Sequence, residues 1–178
     1  MKMKNILLTM IMILPLMAWS NTIITEANGT FTGLGHARSH NFPLEARIFT
    51  IKVSDADTSG MRSIDVEVSV NDLHTGNGMR DTHMRMSILD KKKHPMILFT
   101  SVVMMPEFQA GAVSLPGKLE VNGITKAYDL KLNLKNDSGK WLATGSFLIV
   151  PTDFDLPLVG MGPMKLLDKV ELDLDVRF

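Results

Sequence analysis

Apolar and polar residues alternate with a period of two along most of the chain. Residues 169–178 show this most regularly, since every second side chain is Val, Leu or Phe and those between are charged. A strand places successive side chains on opposite faces, so the pattern predicts one apolar face and one wet face. The same alternation over residues 64–70 and 130–134 predicts two further strands.

Turn residues separate the predicted strands. Asn122-Gly123 stands between two alternating runs and predicts a tight hairpin, because both residues tolerate positive φ. Residues 136–139, which read Asn-Asp-Ser-Gly, predict the next turn. Helical spacing of apolar residues occurs only within residues 81–93, where it predicts one short helical turn between strands.

A chain of short strands and turns folds as a sandwich or a barrel. Residues 96–105 are apolar on both faces, which predicts cover on both sides, and the chain ends on a regular strand that could close a barrel. We therefore predict an all-β domain, a single antiparallel β-barrel of about eight strands. A sandwich stays open as the alternative.

The first 20 residues have the layout of a secretory signal peptide. Lys2 and Lys4 precede an apolar run, and Ala18-Trp19-Ser20 offers small residues for cleavage after Ser20. The run spans roughly a dozen residues, whereas a membrane-spanning anchor needs about 20. We therefore expect residues 1–20 to be removed on export to the bacterial periplasm, leaving one domain over residues 21–178.

Composition argues against a nucleic-acid partner and excludes disulfide bonds. Without Lys2 and Lys4 the chain has 17 basic and 19 acidic residues, so there is no electrostatic case for nucleic acid. The sequence contains no Cys and therefore no disulfide, so the exported domain must be held together by burial alone.

The stretch TGNGMRDTHM, residues 75–84, is the strongest candidate for polar chemistry. His83 has no nearby Ser or Cys nucleophile and no fitting carboxylate, so we expect no enzyme and no catalytic residue. The Gly-Asn-Gly run favours a turn at the barrel rim, with Asp81 as a helix cap and with Arg80 or His83 as candidate contacts to the polar end of a bound ligand. His36 and His40 share a spacing that suits a metal, but no acidic partner is close, and we predict no metal site or other cofactor.

The order of several motifs resembles the YceI-like family of exported lipid-binding proteins. No single motif is specific, but their order and spacing cover nearly the whole mature chain. They are His40-Asn41-Phe42, LHTGN followed by MRDTHM within residues 73–84, HPMILFTS in residues 94–101, GKLEVNGITK in residues 117–126, Thr152-Asp153-Phe154, and the closing strand.

This resemblance implies a lipocalin-like barrel around an elongated apolar cavity that holds a long isoprenoid chain, such as that of a quinone or a polyprenyl lipid. Many relatives have a basic residue just before the Asp-Phe pair, where this chain has Pro151, which puts a charged head-group contact there in doubt. The candidate interior residues are Ile64, Val66, Val68, Ile97, Phe99, Leu130, Leu132, Phe147, Ile149 and Phe154.

Residues 156–164 read LPLVGMGPM and are rich in Leu, Met, Gly and Pro. We predict that they form an apolar lip at the cavity mouth, with Val159 and Met161 in contact with lipid.

The leading hypothesis is a non-catalytic periplasmic protein that binds, sequesters or transports an isoprenoid-type lipid. Its expected partners are that lipid and, transiently, a membrane or a membrane protein. The alternative is a structural or interaction barrel with a filled core, which acts through its rim on a membrane-bound redox partner or in a stress response.

Overall fold

The computed structural model describes residues 21–178, and the predicted signal peptide lies outside them. Eleven strands make up one sheet: β1 Asn21–Thr25, β2 Gly29–Ala37, β3 Asn41–Ala46, β4 Phe49–Ser54, β5 Met61–Ser69, β6 Leu73–His74, β7 Met96–Met104, β8 Gly111–Val121, β9 Ile124–Asp137, β10 Lys140–Ile149 and β11 Leu166–Arg177. A short helix, α1 (Gly78–His83), continues into a π-helical turn at Met84–Ile88.

Every strand pairs antiparallel with its neighbours, in the order β1-β4-β5-β7-β8-β9-β10-β11-β2-β3-β6. The sheet curls into a half-barrel, which confirms the predicted fold class. β1 and β2 are separated only by the 3-10 turn Glu26–Asn28, yet β1 pairs with β4 and β2 with β11. The strands from β4 to β11 form the main ladder. The bent segment therefore connects its two ends, because β1 pairs at the β4 end and β2 at the β11 end.

The sheet has more strands than the eight or so predicted, for two local reasons. The 3-10 turn Glu26–Asn28 divides what would be one strand into β1 and β2, and the short strands β3 and β6 extend the sheet beyond β2. β11 lies between β10 and β2, inside the ladder, so the terminal strand is paired on both sides.

Two predicted turns form as tight hairpins. Asn122 and Gly123 have φ of 52° and 75° between β8 and β9, and Ser138 and Gly139 have φ of 55° and 90° between β9 and β10. Positive φ at both central residues is the type I′ geometry, whose twist matches that of the flanking strands.

The helical segment begins earlier than predicted, and Asp81 does not cap it. The Asn77 side chain is the cap, since its Oδ1 accepts hydrogen bonds from the backbone N–H groups of Met79 and Arg80. Asp81 lies inside the helix and is buried. Across residues 21–178, no helix combines the length and the apolar character that crossing a bilayer requires.

The outer face of β7 departs from expectation. Its apolar residues on both faces predicted cover on both sides, but Val102 and Met104 are 62% and 66% exposed on the outside. The inner residues Phe99 and Val103 are buried in the core. The prediction of two-sided cover is therefore wrong here, because only the inner face of a curled sheet meets the core.

An aromatic cluster fills one end of the barrel. Phe108 packs against Trp141 and Phe178, with ring centroids 5.8 and 5.2 Å away. The Arg62 guanidinium stacks 4.6 Å above the Phe108 ring and donates hydrogen bonds to the backbone carbonyls of Ser54, Met105 and Pro106. We call this cluster the closed end.

Candidate ligand-binding site

The opposite end of the barrel contains a cavity of about 490 Å³. Cavities of roughly 300–1,000 Å³ hold drug-sized ligands in proteins. The inward side chains of nine strands, β2, β3 and β5 to β11, form most of its wall, and nearly all of them are aliphatic or aromatic. The principal apolar wall residues are Phe31, Phe42, Leu44, Val66, Val68, Ile97, Phe99, Leu119, Leu130, Phe147, Ile149, Leu172 and Leu174.

Two segments outside the ladder complete the cavity. The helical cover, residues 78–88, contributes Arg80, His83, Met84 and Ile88 to the wall. The lip, residues 156–164, contributes residues 156–160 and Met164. The Gly160 φ of 96° and the 3-10 turn Gly162–Met164 keep the lip irregular, so it does not continue as a strand.

The polar groups along the wall are neutral or basic. Arg80, Lys169 and three histidines, His36, His40 and His83, contact the cavity, whereas none of the Asp or Glu side chains of residues 27–178 does. Lys169 Nζ is already paired with Glu171 Oε1 at 3.0 Å. This leaves Arg80 as the principal permanent cation available to a ligand.

The Arg80 side chain is held by three contacts. Its Nε donates to Thr75 Oγ1 at 2.8 Å, and its Nη2 donates to the Thr75 carbonyl at 2.7 Å. The guanidinium stacks on the Phe42 ring, 4.4 Å from the centroid. Phe42 in turn lies over Gly35, where an added Cβ would come within 2.2 Å of the ring. Nη1 has no hydrogen-bond partner within residues 21–178.

Asp81 anchors the helical cover to β6. Its Oδ1 accepts hydrogen bonds from the Thr75 backbone N–H at 2.7 Å and from Thr75 Oγ1 at 2.6 Å. Its Oδ2 lies 3.6 Å from Arg85 Nη2 and 3.4 Å from His74 Nδ1. Burial alone would raise the pKa of Asp81, but the Thr75 hydrogen bonds and the two nearby basic groups outweigh it and hold the pKa below its ordinary value.

His36 and His40 do not converge on a metal site. His36 Nδ1 lies 2.8 Å from Asn41 Oδ1, and its Nε2 lies 3.3 Å from Glu171 Oε1 without a well-aligned hydrogen bond. His40 Nδ1 instead lies 3.1 Å from Ser39 Oγ. Among the side chains that the structure describes, no group of three or more His, Cys, Asp or Glu could hold a metal ion.

Most of the residues predicted to contact lipid lie on the cavity wall. They are Val66, Val68, Ile97, Phe99, Leu130, Phe147, Ile149, Arg80, His83 and Val159. Whether each of them binds lipid stays a prediction.

Four of the predicted residues lie elsewhere. Ile64 and Leu132 line a separate void of about 60 Å³ nearer the closed end. Phe154 is packed in the core, and Met161 is 87% exposed. The inward alternation of β5 and β9 continues past the cavity, and for this reason the pattern could not separate Ile64 and Leu132 from their neighbours.

Sequence reasoning missed Leu172 and Leu174 as cavity residues, although the alternation of the last strand places them on its apolar face. It also missed Phe31 and Phe42. Phe31 was missed because Gly33 and Gly35 interrupt the apolar alternation of β2, so the sequence pattern does not show which face of this strand points inward.

The comparison with protein families gives a match over the whole described part of the chain. The sequence profile of the YceI-like domain matches residues 19–178. No curated protein sequence matches the chain.

Solved structures share the fold at low sequence identity. A polyisoprenoid-binding domain from Saccharophagus degradans is 15% identical with a TM-score of 0.73, and the match covers 89% of this chain and 97% of that one. BcnA of Burkholderia cenocepacia is 14% identical with a TM-score of 0.72, over 87% and 99%. The Campylobacter jejuni YCEI protein is 18% identical with a TM-score of 0.60, over 80% and 87%. With its profile match over nearly all of the described residues, the chain belongs to the YceI-like family.

Proposed function

We propose that this protein binds an isoprenoid-type lipid in its barrel cavity and carries or sequesters it without catalysis. The observation that supports this best is the apolar cavity of about 490 Å³ between the ladder, the helical cover and the lip. Each methylene group transferred from water into such a cavity gains roughly 0.8 kcal/mol, so a prenyl tail needs no polar partner there. A structural relative described as a polyisoprenoid-binding domain supports the same ligand class.

The head group would lie near Arg80, with His83 and the lip close by. A quinone could accept a hydrogen bond from Arg80 Nη1, and a polyprenyl phosphate could accept the same bond with charge assistance. Among residues 27–178 no Asp or Glu side chain lies on the wall, which favours the anionic phosphate over the neutral quinone as the head group.

Extraction of the bound lipid tests the proposal. The protein, purified without detergent from its bacterial host, is extracted with organic solvent, and the extract is analysed by mass spectrometry. We expect a recurring isoprenoid species. An extract without lipid, together with no fluorescence gain from an apolar dye, would favour the alternative of a rim-acting interaction barrel.

Two tryptophan substitutions on β7 provide a matched control. Ile97→Trp fills the cavity from its wall, whereas Val102→Trp adds the same side chain on the exposed outer face. We expect Ile97→Trp to lose most of the extracted lipid and Val102→Trp to keep it. Equal retention by both variants would mean that the lipid binds outside the cavity.

Export to the periplasm is part of the proposal and depends on the pattern of residues 1–20. Aminoterminal sequencing of the protein from the periplasmic fraction should begin at Asn21. Recovery of the chain in the cytoplasmic fraction with Met1 intact would contradict it. Lipid exchange also requires transient contact with a membrane or a membrane protein, which flotation with vesicles would measure.

A further inference from the structure

The barrel interior is divided into two unequal spaces. The cavity of about 490 Å³ is bounded by the helical cover and the lip, and the void of about 60 Å³ lies toward the closed end, where Phe108 and Phe178 line it. Three side chains, Val66, Leu130 and Leu174, contact both spaces. We call these three residues the partition layer.

The partition lies at the same level on three strands. Along each of them, steps of two residues lead from a cavity residue through a partition residue to a void residue: Val68–Val66–Ile64 on β5, Tyr128–Leu130–Leu132 on β9 and Leu172–Leu174–Val176 on β11. The agreement of the three strands shows that the boundary crosses the barrel, and that it is not a local irregularity of one strand.

Two glycines lie at this level, and neighbouring side chains fill the space that each leaves. On β8, Gly117 separates the cavity residue Leu119 from the void residue Leu115, and an added Cβ would come within 2.6 Å of the Phe99 ring. On β10, Gly145 pairs with Leu174, and an added Cβ there would come within 2.5 Å of Leu132 Cδ2. The layer is therefore occupied around the ring by side chains from several strands.

We propose that the partition layer is the floor of the lipid cavity and sets the greatest tail length that the protein accepts. The inference rests on the proposed function, since a floor has meaning only for a tail that enters from the mouth. The void beyond the floor has room for only a few water-sized groups and cannot take up the end of a longer tail. A tail longer than the cavity must therefore leave part of its apolar surface in water.

A pair of alanine variants on β9 tests the floor. Leu130→Ala removes a partition side chain and is expected to join the two spaces, whereas Leu134→Ala removes the same atoms from a residue that lines only the void and takes no part in the layer. Delipidated wild type and both variants are titrated with geraniol, farnesol, geranylgeraniol and solanesol, which form a series of increasing tail length. Binding is read from displacement of an apolar fluorescent dye, and folding from the melting temperature.

We expect wild-type affinity to rise with tail length and then to level off. For the first prenol beyond that point, Leu130→Ala should bind at least about tenfold more tightly than the wild type, the gain from about two additional buried methylene groups. Leu134→Ala should keep the wild-type profile, although it too removes a buried leucine side chain from the core. If Leu130→Ala does not fold, Val66→Ala removes fewer atoms from the same layer and takes its place.

Each outcome is decisive. Identical length profiles for the wild type and the partition variant, with binding intact, would overturn the floor while leaving the proposed function standing. A Leu134→Ala profile shifted as far as that of Leu130→Ala would show that general loosening is the cause and would overturn the floor too. A wild type that binds none of the prenols would refute the proposed function, and the floor with it.

Discussion

At the scale of single residues, Arg80 is held in place before any ligand arrives. Thr75 and Phe42 position its guanidinium, and Nη1 has no protein partner within residues 21–178. A preorganised cation loses little side-chain entropy when it binds an anion, so it can discriminate head groups with the same tail.

We therefore predict that Arg80→Ala weakens binding of a prenyl phosphate by about tenfold, the loss of one charge-assisted hydrogen bond. Binding of the prenyl alcohol of the same tail should change much less. Dye displacement with the two ligands measures the difference. Arg47→Ala is the control, because Arg47 is an exposed arginine that pairs with Glu45. Equal losses for phosphate and alcohol would mean that Arg80 only supports the local structure.

Asp81 is the buried charge on which the helical cover depends. Because its pKa in the fold is below the ordinary value, its ionised form stabilises the fold above the unfolded pKa of about 3.9. That contribution is lost as the pH falls through the lowered pKa. The wild type should accordingly lose stability as the solution is acidified below about pH 4.

Asp81→Asn should lower the free energy of unfolding at neutral pH by about 3 kcal/mol, because Arg85 and His74 lose their partner in a buried site. Its stability should also depend less on pH in the acid range. Urea unfolding at neutral and acid pH measures both effects. Asp90→Asn is the control, since Asp90 also has a lowered pKa but pairs with Lys93 at the surface. An acid slope unchanged in Asp81→Asn would contradict the assignment.

At the scale of elements, the two type I′ hairpins differ in their surroundings. Gly123 and Gly139 both have positive φ, but an added Cβ at Gly123 would come within 2.5 Å of the His94 ring, whereas nothing lies within 4 Å at Gly139. An alanine at Gly139 would therefore suffer backbone strain alone, and one at Gly123 would suffer strain and a clash.

We expect Gly139→Ala to lower the free energy of unfolding by about 1 kcal/mol, the strain of a left-handed residue. Gly123→Ala should cost about 2 kcal/mol or more, because His94 must also move. Thermal unfolding of the two variants under the same conditions measures the difference. Equal losses would show that the His94 ring moves aside at no cost.

The lip combines two kinds of residue that the sequence pattern groups together. Val159 lines the cavity, and its carbonyl accepts a hydrogen bond from the Leu166 N–H at 2.9 Å, whereas the Met161 side chain is almost fully exposed. Only the first is placed to hold a lipid.

Val159→Ser should therefore weaken prenol binding by about tenfold with little change in melting temperature, because it replaces buried apolar surface at the mouth. Met161→Ser should leave affinity within about twofold of the wild type. Dye displacement combined with calorimetry separates the two effects. A large loss of stability in Val159→Ser would mean that the lip is part of the core.

At the scale of the whole molecule, the aromatic cluster and the cavity lie at opposite ends of the barrel. The closed end combines an aromatic cluster with an arginine that donates to three backbone carbonyls, whereas the open end has the cavity. A substitution at the closed end should therefore change stability without changing ligand selection.

Phe108→Ala is expected to lower the free energy of unfolding by about 3 kcal/mol, since it removes ring contacts with Trp141, Phe178 and Arg62. The folded fraction should keep the wild-type profile of prenol binding. Urea unfolding and dye displacement test the two halves of this prediction. A changed profile at full folding would show that the two ends are coupled.

The main strands and both hairpins could be predicted from local pattern. Period-two alternation in β5, β9 and β11 indicates the face that points into the barrel, and Asn122-Gly123 favours its turn because both residues tolerate positive φ. Two features were harder to predict from the sequence. One is the division of the first strand into β1 and β2, and the other is the early start of the helical cover, directly after Asn77. The division depends on the pairing of β1 with β4 and of β2 with β11, which are far away in the chain. The early start depends on the Asn77 cap, a local signal that the interpretation of the Gly-Asn-Gly run as a turn obscured.

What the sequence determined by itself is which side of each strand is apolar, because side-chain direction follows from backbone geometry alone. It did not determine that Val68 faces a cavity, Ile64 a void, and Val66 both, although all three share one alternation. The tertiary structure decided this, because a space inside a barrel depends on whether side chains from several strands meet across it. Phe99 reaches over Gly117 and Leu132 over Gly145 at the floor, whereas near the mouth the facing walls stay apart.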